Sequence, residues 1–407
     1  MIFTKFNLSL KGLVHKLIAI LFIPLLIIIK LIKPIYKIRL REFMSERIGH
    51  FVGDAGISLC DQVYKEEYKD LCWFITPSCN SQIEKMVKRV FFVRWWVRYL
   101  IIANSFFPSL NLAPFENRWA HARDVRGLYF KTKDLKEAYL PFSNEEEEQA
   151  KNFLKNLGVK RTDKFVCLII RDAEYLKTHY PNEDWSYHDY RDSSINSYIE
   201  SIEALKDLGY WIFRMGKEVK EKLDYDHPRV IDYANSDERS DLLDVWLPAN
   251  SHFSISTSTG LDAVPQAFRR PVVYVNAMTN ADFRSHDHCI WAPKDLYWKG
   301  SKENSLTLKE TLINNFSDGR RYKDLGINIT NLSPDLIKDI VLEMHKRLSG
   351  EWEISKQEEL NQEKFIKIIS AWPEKEKMHG FFHPKALISQ TYLEHNSSFL
   401  SELFDES

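Results

Sequence analysis

Residues 252–276 read H-F-S-I-S-T-S-T-G-L-D-A-V-P-Q-A-F-R-R-P-V-V-Y-V-N, and this stretch decides the fold. Phe253 and Ile255 alternate with polar residues, as in a short strand. Ser256, Thr257, Ser258, Thr259 and Gly260 then supply capping hydroxyls and a turn glycine, and a helix follows over 261–268. Arg270-Pro271 punctuates the entry to a second strand at 272–275. Strand, hydroxyl-rich turn, short helix and strand make one repeat of a parallel α/β sheet. Such a turn would aim bare backbone N–H groups and the positive end of a helix dipole outward, so residues 257–260 are expected to hold a phosphate. An ordinary capped turn is the alternative, since no Walker or G-x-G-x-x-G loop is present.

The alternation extends in both directions. Strands are expected at 165–170, 210–215, 230–232, 253–256 and 272–276, with helices at 195–208, 217–223, 240–247 and 261–268 between them. That spacing implies a mostly parallel sheet covered by helices on both faces. Ligands bind outside the carboxyl ends of such strands, which singles out loops 171–192, 214–216, 233–239, 257–260 and 276–284. Four acids at 145–148 open a helix that Gly158 stops, and this marks the start of the domain at 151–350. Residues 41–150, with a strand at 71–76 and a helix at 81–88, read as a smaller α/β domain. A helix at 333–348 with Pro334 in its first turn closes the larger domain, and 351–407 reads as a helical tail.

The 407 residues carry 56 basic and 57 acidic side chains, so no global field favours nucleic acid as a partner. Five scattered cysteines without C-x-x-C spacing fit reduced thiols. Residues 17–32, L-I-A-I-L-F-I-P-L-L-I-I-I-K-L-I, lie between basic residues that include Lys11, Lys16, Lys33, Lys37, Arg39 and Arg41. Residues 1–40 are therefore expected to associate with a membrane. Lys30 and Pro24 make the segment marginal as a span, and a shallow or re-entrant anchor or a buried helix are the alternatives. The aromatic, basic run F-F-V-R-W-W-V-R-Y at 91–99 suits a membrane-facing patch or a core with snorkelling arginines.

Loop 171–192 concentrates ionisable groups directly after a buried strand. Asp172 or His188 could take a proton from an acceptor hydroxyl, and Arg171 or Arg191 could neutralise a leaving phosphate; surface ion pairs are the alternative. Arg214 and Gly216 follow a strand, and Arg239 precedes a helix that Ser240 would cap. Asp224-Tyr225-Asp226 lies in a polar loop rather than at a strand end, and His286-Asp287-His288-Cys289 reads as a turn, so no metal ligand set is assigned.

In order along the chain, R-D-A-E-Y-L (171–176), Y-H-D-Y-R-D-S (187–193), F-R-M-G (213–216), D-Y-A-N-S-x-x-R-S-D (232–241), T-S-T-G-L-D-A-V-P (257–265) and R-R-P-V-V-Y-V-N (269–276) resemble a family of bacterial glycosyltransferases found with surface-polysaccharide genes. Arg47-Ile48-Gly49-His50 resembles that family's early R-I-G-H motif. The resemblance implies a GT-B-like pair of Rossmann-type domains facing a cleft, a nucleotide sugar as donor, and neither cofactor nor obligatory metal. Arg171, Arg214, Gly216, Arg239, Thr257, Ser258, Thr259 and Gly260 would face the donor. Gly49, His50, Tyr190 and Arg191 would face the acceptor, and Asp172 and His188 are the candidate catalytic groups.

The resulting expectation is a glycosyltransferase, peripheral or single-anchored at the cytoplasmic side of the inner membrane, acting on a lipid-linked or surface-glycan acceptor. A nucleotide-sugar epimerase or hydrolase of the same fold, or a non-catalytic scaffold of polysaccharide assembly, are the alternatives.

Overall fold

The computed structural model describes residues 10–65, 67–116, 124–179, 181–278, 283–300, 305–314, 316, 318–374 and 380–401. The chain divides into two compact units, one of Met1–Ala122 with Lys131–Phe142 and one of Arg123–Phe130 with Ser143–Ser407.

The first unit is built on β1 (Ile38–Phe43), β2 (Lys69–Phe74), β3 (Phe92–Val93) and β4 (Phe115–Glu116), in the order β3-β2-β1-β4 and parallel throughout. Helix Ile48–Lys65 connects β1 to β2, and helix Ser81–Val90, capped by the side chain of Asn80, connects β2 to β3. Arg39 and Arg41 do not form the basic membrane flank expected of them. Both are buried on β1, where Arg39 binds Asp70 at 2.6 Å and Asp61 at 2.8 Å and Arg41 binds Glu116 at 2.8 Å. Buried charge of this kind is tolerated because it is paired.

The second unit contains β5 (Phe165–Ile169), β6 (Trp211–Arg214), β7 (Val230–Ile231), β8 (Phe253–Ser256), β9 (Val272–Ala277), β10 (Cys289–Pro293), β11 (Asp295–Trp298), β12 (Ile327–Thr330) and β13 (Ala386–Ile388). Seven of these make a parallel sheet in the order β13-β10-β9-β8-β5-β6-β7, and β11 with β12 forms an antiparallel pair. Alternate side chains of the strands enter two layers. Val166 and Leu168 join Ile202, Leu205 and Ile340 from helices Ile199–Asp207 and Pro334–Ser349. Phe165 and Phe213 stack instead with Trp246 and Phe153 from helices Asp241–Asn250 and Asn144–Asn156.

Two expectations are corrected by this arrangement. No helix forms over 217–223, because side chains hold that backbone in other ways. Asp172 accepts the Lys220 N–H, Asp232 accepts the Leu223 N–H, and Arg214 donates to the Glu221 carbonyl. Such bonds compete directly with the helix ladder. The segment after residue 350 does form the expected packed helices, Lys356–Ala371 and Gln390–His395, but it is not a separate tail, since β13 extends the main sheet beside β10.

Glu343, fully buried, ties that last segment down: it accepts from Arg347, from the Ser389 hydroxyl at 2.6 Å and from the backbone N–H groups of Gln390 and Thr391. Replacing Glu343 by alanine strands these donors and should cost about 3 kcal/mol of stability. Denaturant unfolding checks this, and a loss below about 1 kcal/mol would show that the last segment contributes little to the unit.

Candidate functional site

The strand order reverses between β5 and β8. The chain runs from β5 outward through β6 and β7, returns beside β5 as β8, and continues outward the other way through β9 and β10. At such a switch point the two loops leaving the carboxyl ends of the central strands diverge and leave a crevice. Here those loops begin at Arg171, after β5, and at Thr257, after β8. They are stitched together by the Arg171 N–H, which donates to the Thr257 hydroxyl at 2.9 Å.

The 257–260 turn forms, but most of its N–H groups are already spent within the chain. The Ser258 N–H donates to Ser256 Oγ, the Thr259 N–H to Asp262 Oδ2 at 2.7 Å, and the Leu261 N–H to Thr259 Oγ1. The helix that follows is only Ala263–Ala267, too short to supply the expected dipole. What the turn presents is different. Ser258 adopts the left-handed conformation at φ 62°, and its buried Oγ makes no hydrogen bond among the described residues. Left-handed backbone costs a residue with a Cβ about 1 kcal/mol or more, and such strain collects at functional sites.

Three cations cluster beside this turn, and one of them, Arg191, touches it. Arg191 Nη2 donates to the Ser258 carbonyl at 2.8 Å, and Arg171 pairs with Asp192 at 3.1 Å. Lys294, buried just beyond the end of β10, donates to the carbonyls of Tyr190 and Asp192 at 2.9 and 2.8 Å. Burial pushes the Lys294 ammonium down to about 8, with Arg171 and Arg191 adding to the fall and Asp192 opposing it. Burial, then the Arg191 charge, also lowers Arg171. Burial raises the Asp192 carboxyl to about 6. Burial is the largest cause of both lowered cations, and the neighbouring arginine charges add to it.

Of the residues expected here, the structure brings Arg171, Arg191, Thr257, Ser258, Thr259 and Gly260 together. Arg191, expected to face the acceptor, contacts the 257–260 turn expected to face the donor, and Tyr190 is beside it through its carbonyl bond to Lys294. Arg214 is elsewhere: fully buried, it pairs with Asp232 at 3.0 Å. Gly216 is glycine for packing, because a Cβ there would meet Val219 at 2.6 Å. Arg239 pairs with Asp244 at 2.6 Å beside the Ser240 cap.

Asp172 lies on the loop after β5, but both its oxygens accept backbone N–H groups, from Glu174 and Lys220. His188 sits in the short helix Ser186–Arg191, stacked against Trp185 and Tyr187. Gly49 and His50 occupy the first turn of helix Ile48–Lys65 in the first unit. Lys294 was missed because the strand before it, Cys289–Pro293, was not recognised. The sequence signal was an apolar run ending in Pro-Lys-Asp.

The lowered Lys294 value has a testable sign. An anion that uses its charge binds less well as pH rises through about 8, and affinity should fall roughly tenfold between about pH 7 and pH 9. The free protein should show the opposite trend from this group, gaining stability from about 8 toward 10.5, because the folded state gives up the proton first. Pyrophosphate binding followed by calorimetry measures the first trend. The Lys294→Met variant should bind more weakly and lose the pH step, whereas an unchanged profile would remove Lys294 from the site.

No family model and no curated protein matches the chain by sequence. Among solved structures, it is similar to a glycosyl transferase family 9 protein from Veillonella parvula, at 11% identity over 59% of this chain and 80% of that one, with a TM-score of 0.35. It is also similar to the dodecameric iron-containing glycosyltransferase TibC from enterotoxigenic E. coli, at 13% identity over 78% and 81%, TM-score 0.40. A third likeness is to S. aureus MnaA solved with UDP, at 10% identity over 78% and 98%, TM-score 0.33. Scores this low carry no functional argument, and the residues of the switch point carry it instead.

Proposed function

We propose that the chain is a glycosyltransferase whose second unit binds the diphosphate of a nucleotide sugar at the β5/β8 switch point. The observation that carries this reading is the cluster of Arg171, Arg191 and Lys294 beside the strained turn at Ser258. A single phosphate would need fewer cations. Two adjacent phosphates leaving as one group need distributed positive charge, and arginine forks with a buried lysine supply it where the leaving charge develops. The resemblance of the motifs at 171–193, 213–216 and 232–276 to surface-polysaccharide glycosyltransferases points the same way.

The proposed reaction is a displacement. An acceptor hydroxyl attacks the anomeric carbon, the bond from that carbon to the diphosphate oxygen breaks, and the nucleoside diphosphate leaves against the cationic cluster. The hydroxyl proton passes to a base on the loop after β5. Of the two candidates His188 is preferred, because both Asp172 oxygens already hold backbone N–H groups. In this reading the three cations neutralise the leaving group without a divalent ion. The acceptor is a lipid-linked or surface glycan presented at the cytoplasmic face of the membrane, and the first unit, with Gly49 and His50, serves the acceptor.

Thermal-shift measurements with UDP, GDP, ADP, CDP and CMP, with and without EDTA, test the donor reading. A ligand at about a hundred times its dissociation constant should add nearly 3 kcal/mol. Stabilisation by a nucleoside diphosphate that survives EDTA and is lost in Arg191→Ala supports the proposal, and no shift with any of the five overturns it.

The base is tested separately with His188→Gln, which should lower turnover by roughly 100-fold or more while leaving nucleotide binding intact. Turnover within about twofold of the parent would assign the proton to another group. Asp172→Asn should instead act on stability, at about 1 kcal/mol, through the two weakened loop bonds.

A further inference from the structure

We infer that the two N-terminal helices form an in-plane docking surface for an anionic phospholipid leaflet, rather than a membrane span. Helices Leu10–Ile20 and Ile23–Ile32 hold 11 and 10 residues. Each is about 15 Å long, half of a hydrocarbon core of about 30 Å. Among the described residues no single helix is long and apolar enough to cross a membrane, and residues Gly12–Ile20 and Ile23–Ile32 pass that test only together, with a 49° bend between them.

One stripe of this bent pair is already committed to its own unit. Ala19, Leu26 and Ile29 are buried against Val97, Leu100 and Ala103 of helix Val97–Asn104, and Phe22 stacks on Trp96 and Tyr99. Lys30 donates to the Leu110 carbonyl at 2.8 Å. A span would have to break these contacts; a pair lying flat keeps them.

Among the described residues of this unit, the opposite stripe has no protein cover. Leu10, Leu13, Val14 and Leu17 follow one another at helical spacing and are exposed, as are Ile27, Ile28 and Leu31 on the second helix. Leu21 at the bend is 77% exposed and Leu31 is 72% exposed. A helix that faces water normally turns a polar side outward, and an apolar stripe of this length marks an interaction surface. Trp95, 70% exposed, stands against Tyr99 beside the same pair, as an interfacial anchor does.

Charge selects the occupant. The first acidic residue in the sequence is Glu42, while Lys5, Lys11, Lys16, Lys30, Lys33 and Lys37 precede it. The described side chains of Lys16, Lys30 and Lys33 are exposed around the apolar stripe, and Lys37, also exposed, pairs with Glu67 at 2.7 Å. A second copy would bring the same charge and be repelled, whereas an anionic leaflet attracts it, at an energy that adds per lysine. The inference does not depend on the donor site, which lies in the other unit and is tested by soluble nucleotides.

The test uses the full chain and vesicles of phosphatidylcholine with or without phosphatidylglycerol. Sedimentation with the anionic vesicles is expected, with binding roughly tenfold or more weaker on phosphatidylcholine alone and weakened by salt. The Leu17→Glu, Leu31→Glu double variant should lose roughly 100-fold in partitioning while keeping the parent's thermal unfolding and nucleotide response. A nitroxide on Leu21→Cys, in a background with Cys79→Ser, reports depth: a position near the headgroup boundary supports the inference, and one at the bilayer centre overturns it. Equal binding to neutral vesicles, or none to either, overturns it as well, as does self-association of the parent that the double variant abolishes.

Discussion

The buried carboxylate of Asp262 governs the turn on which the candidate site is built. One oxygen accepts from the Ser256 hydroxyl at 3.0 Å and the Thr259 N–H at 2.7 Å, and the other faces Arg284 at 3.0 Å. A fully buried carboxylate is costly unless its charge and lone pairs are met, and here they are met by the strand end, the turn and an arginine. The chain therefore has one low-energy route from β8 into the short helix. That route places Thr257 where its hydroxyl receives the Arg171 N–H and Ser258 where its carbonyl receives Arg191. The two loops of the switch point are set relative to each other by this one internal anion.

The neighbouring cations follow the opposite logic. Arg171, Arg191 and Lys294 are brought close by the carboxyl ends of β5 and β10 and by the pinched loop between them, whose ends meet where the Ser193 N–H donates to the Arg171 carbonyl. Lys294 spends its hydrogen bonds on two loop carbonyls, which hold it in place without neutralising it. Asp192 is the adjacent counter-charge, and burial weakens it by raising its own pKa to about 6. In the proposed reading such a cluster is preorganised for the donor diphosphate, because its cations are already held by the loop carbonyls and Asp192.

The sequence made the central parallel repeat legible and the periphery less so. Strands β5, β8 and β9 are continuous apolar or alternating runs bounded by clear turns, and their positions were read to within one or two residues. The turn at 257–260 was located correctly, but its physics was misjudged: its own hydroxyls and Asp262 consume the N–H groups thought to be free. Arg214 looked like a ligand arm because it ends a strand, yet strand parity turns it inward to Asp232. The helix at 217–223 is absent because neighbouring side chains, Arg214 and Asp232, and the distant Asp172 claim its backbone, while Lys294 was overlooked with its strand and its partners lie about a hundred residues away. Local pattern reports which backbone can form; it does not report which side chain will claim that backbone's hydrogen bonds.

Two residues with left-handed backbone, Ser258 and Asn276, lie at the carboxyl ends of adjacent strands β8 and β9. Their strain has different explanations. Asn276 is locked by its side chain, which donates to Ser193 and Tyr198 and accepts the Leu332 N–H at 2.7 Å, so it fastens β9 to the loop after β5 and to the start of helix Pro334–Ser349. Asparagine also tolerates this conformation well. Ser258 has no comparable reason. Its backbone is held by Ser256 and Arg191, but its hydroxyl bonds to nothing in the described chain, and glycine would adopt the same φ without penalty. A buried hydroxyl that costs both backbone strain and an unmet hydrogen bond is the kind of feature that collects at functional sites, and in the proposed reading the donor diphosphate supplies its partner.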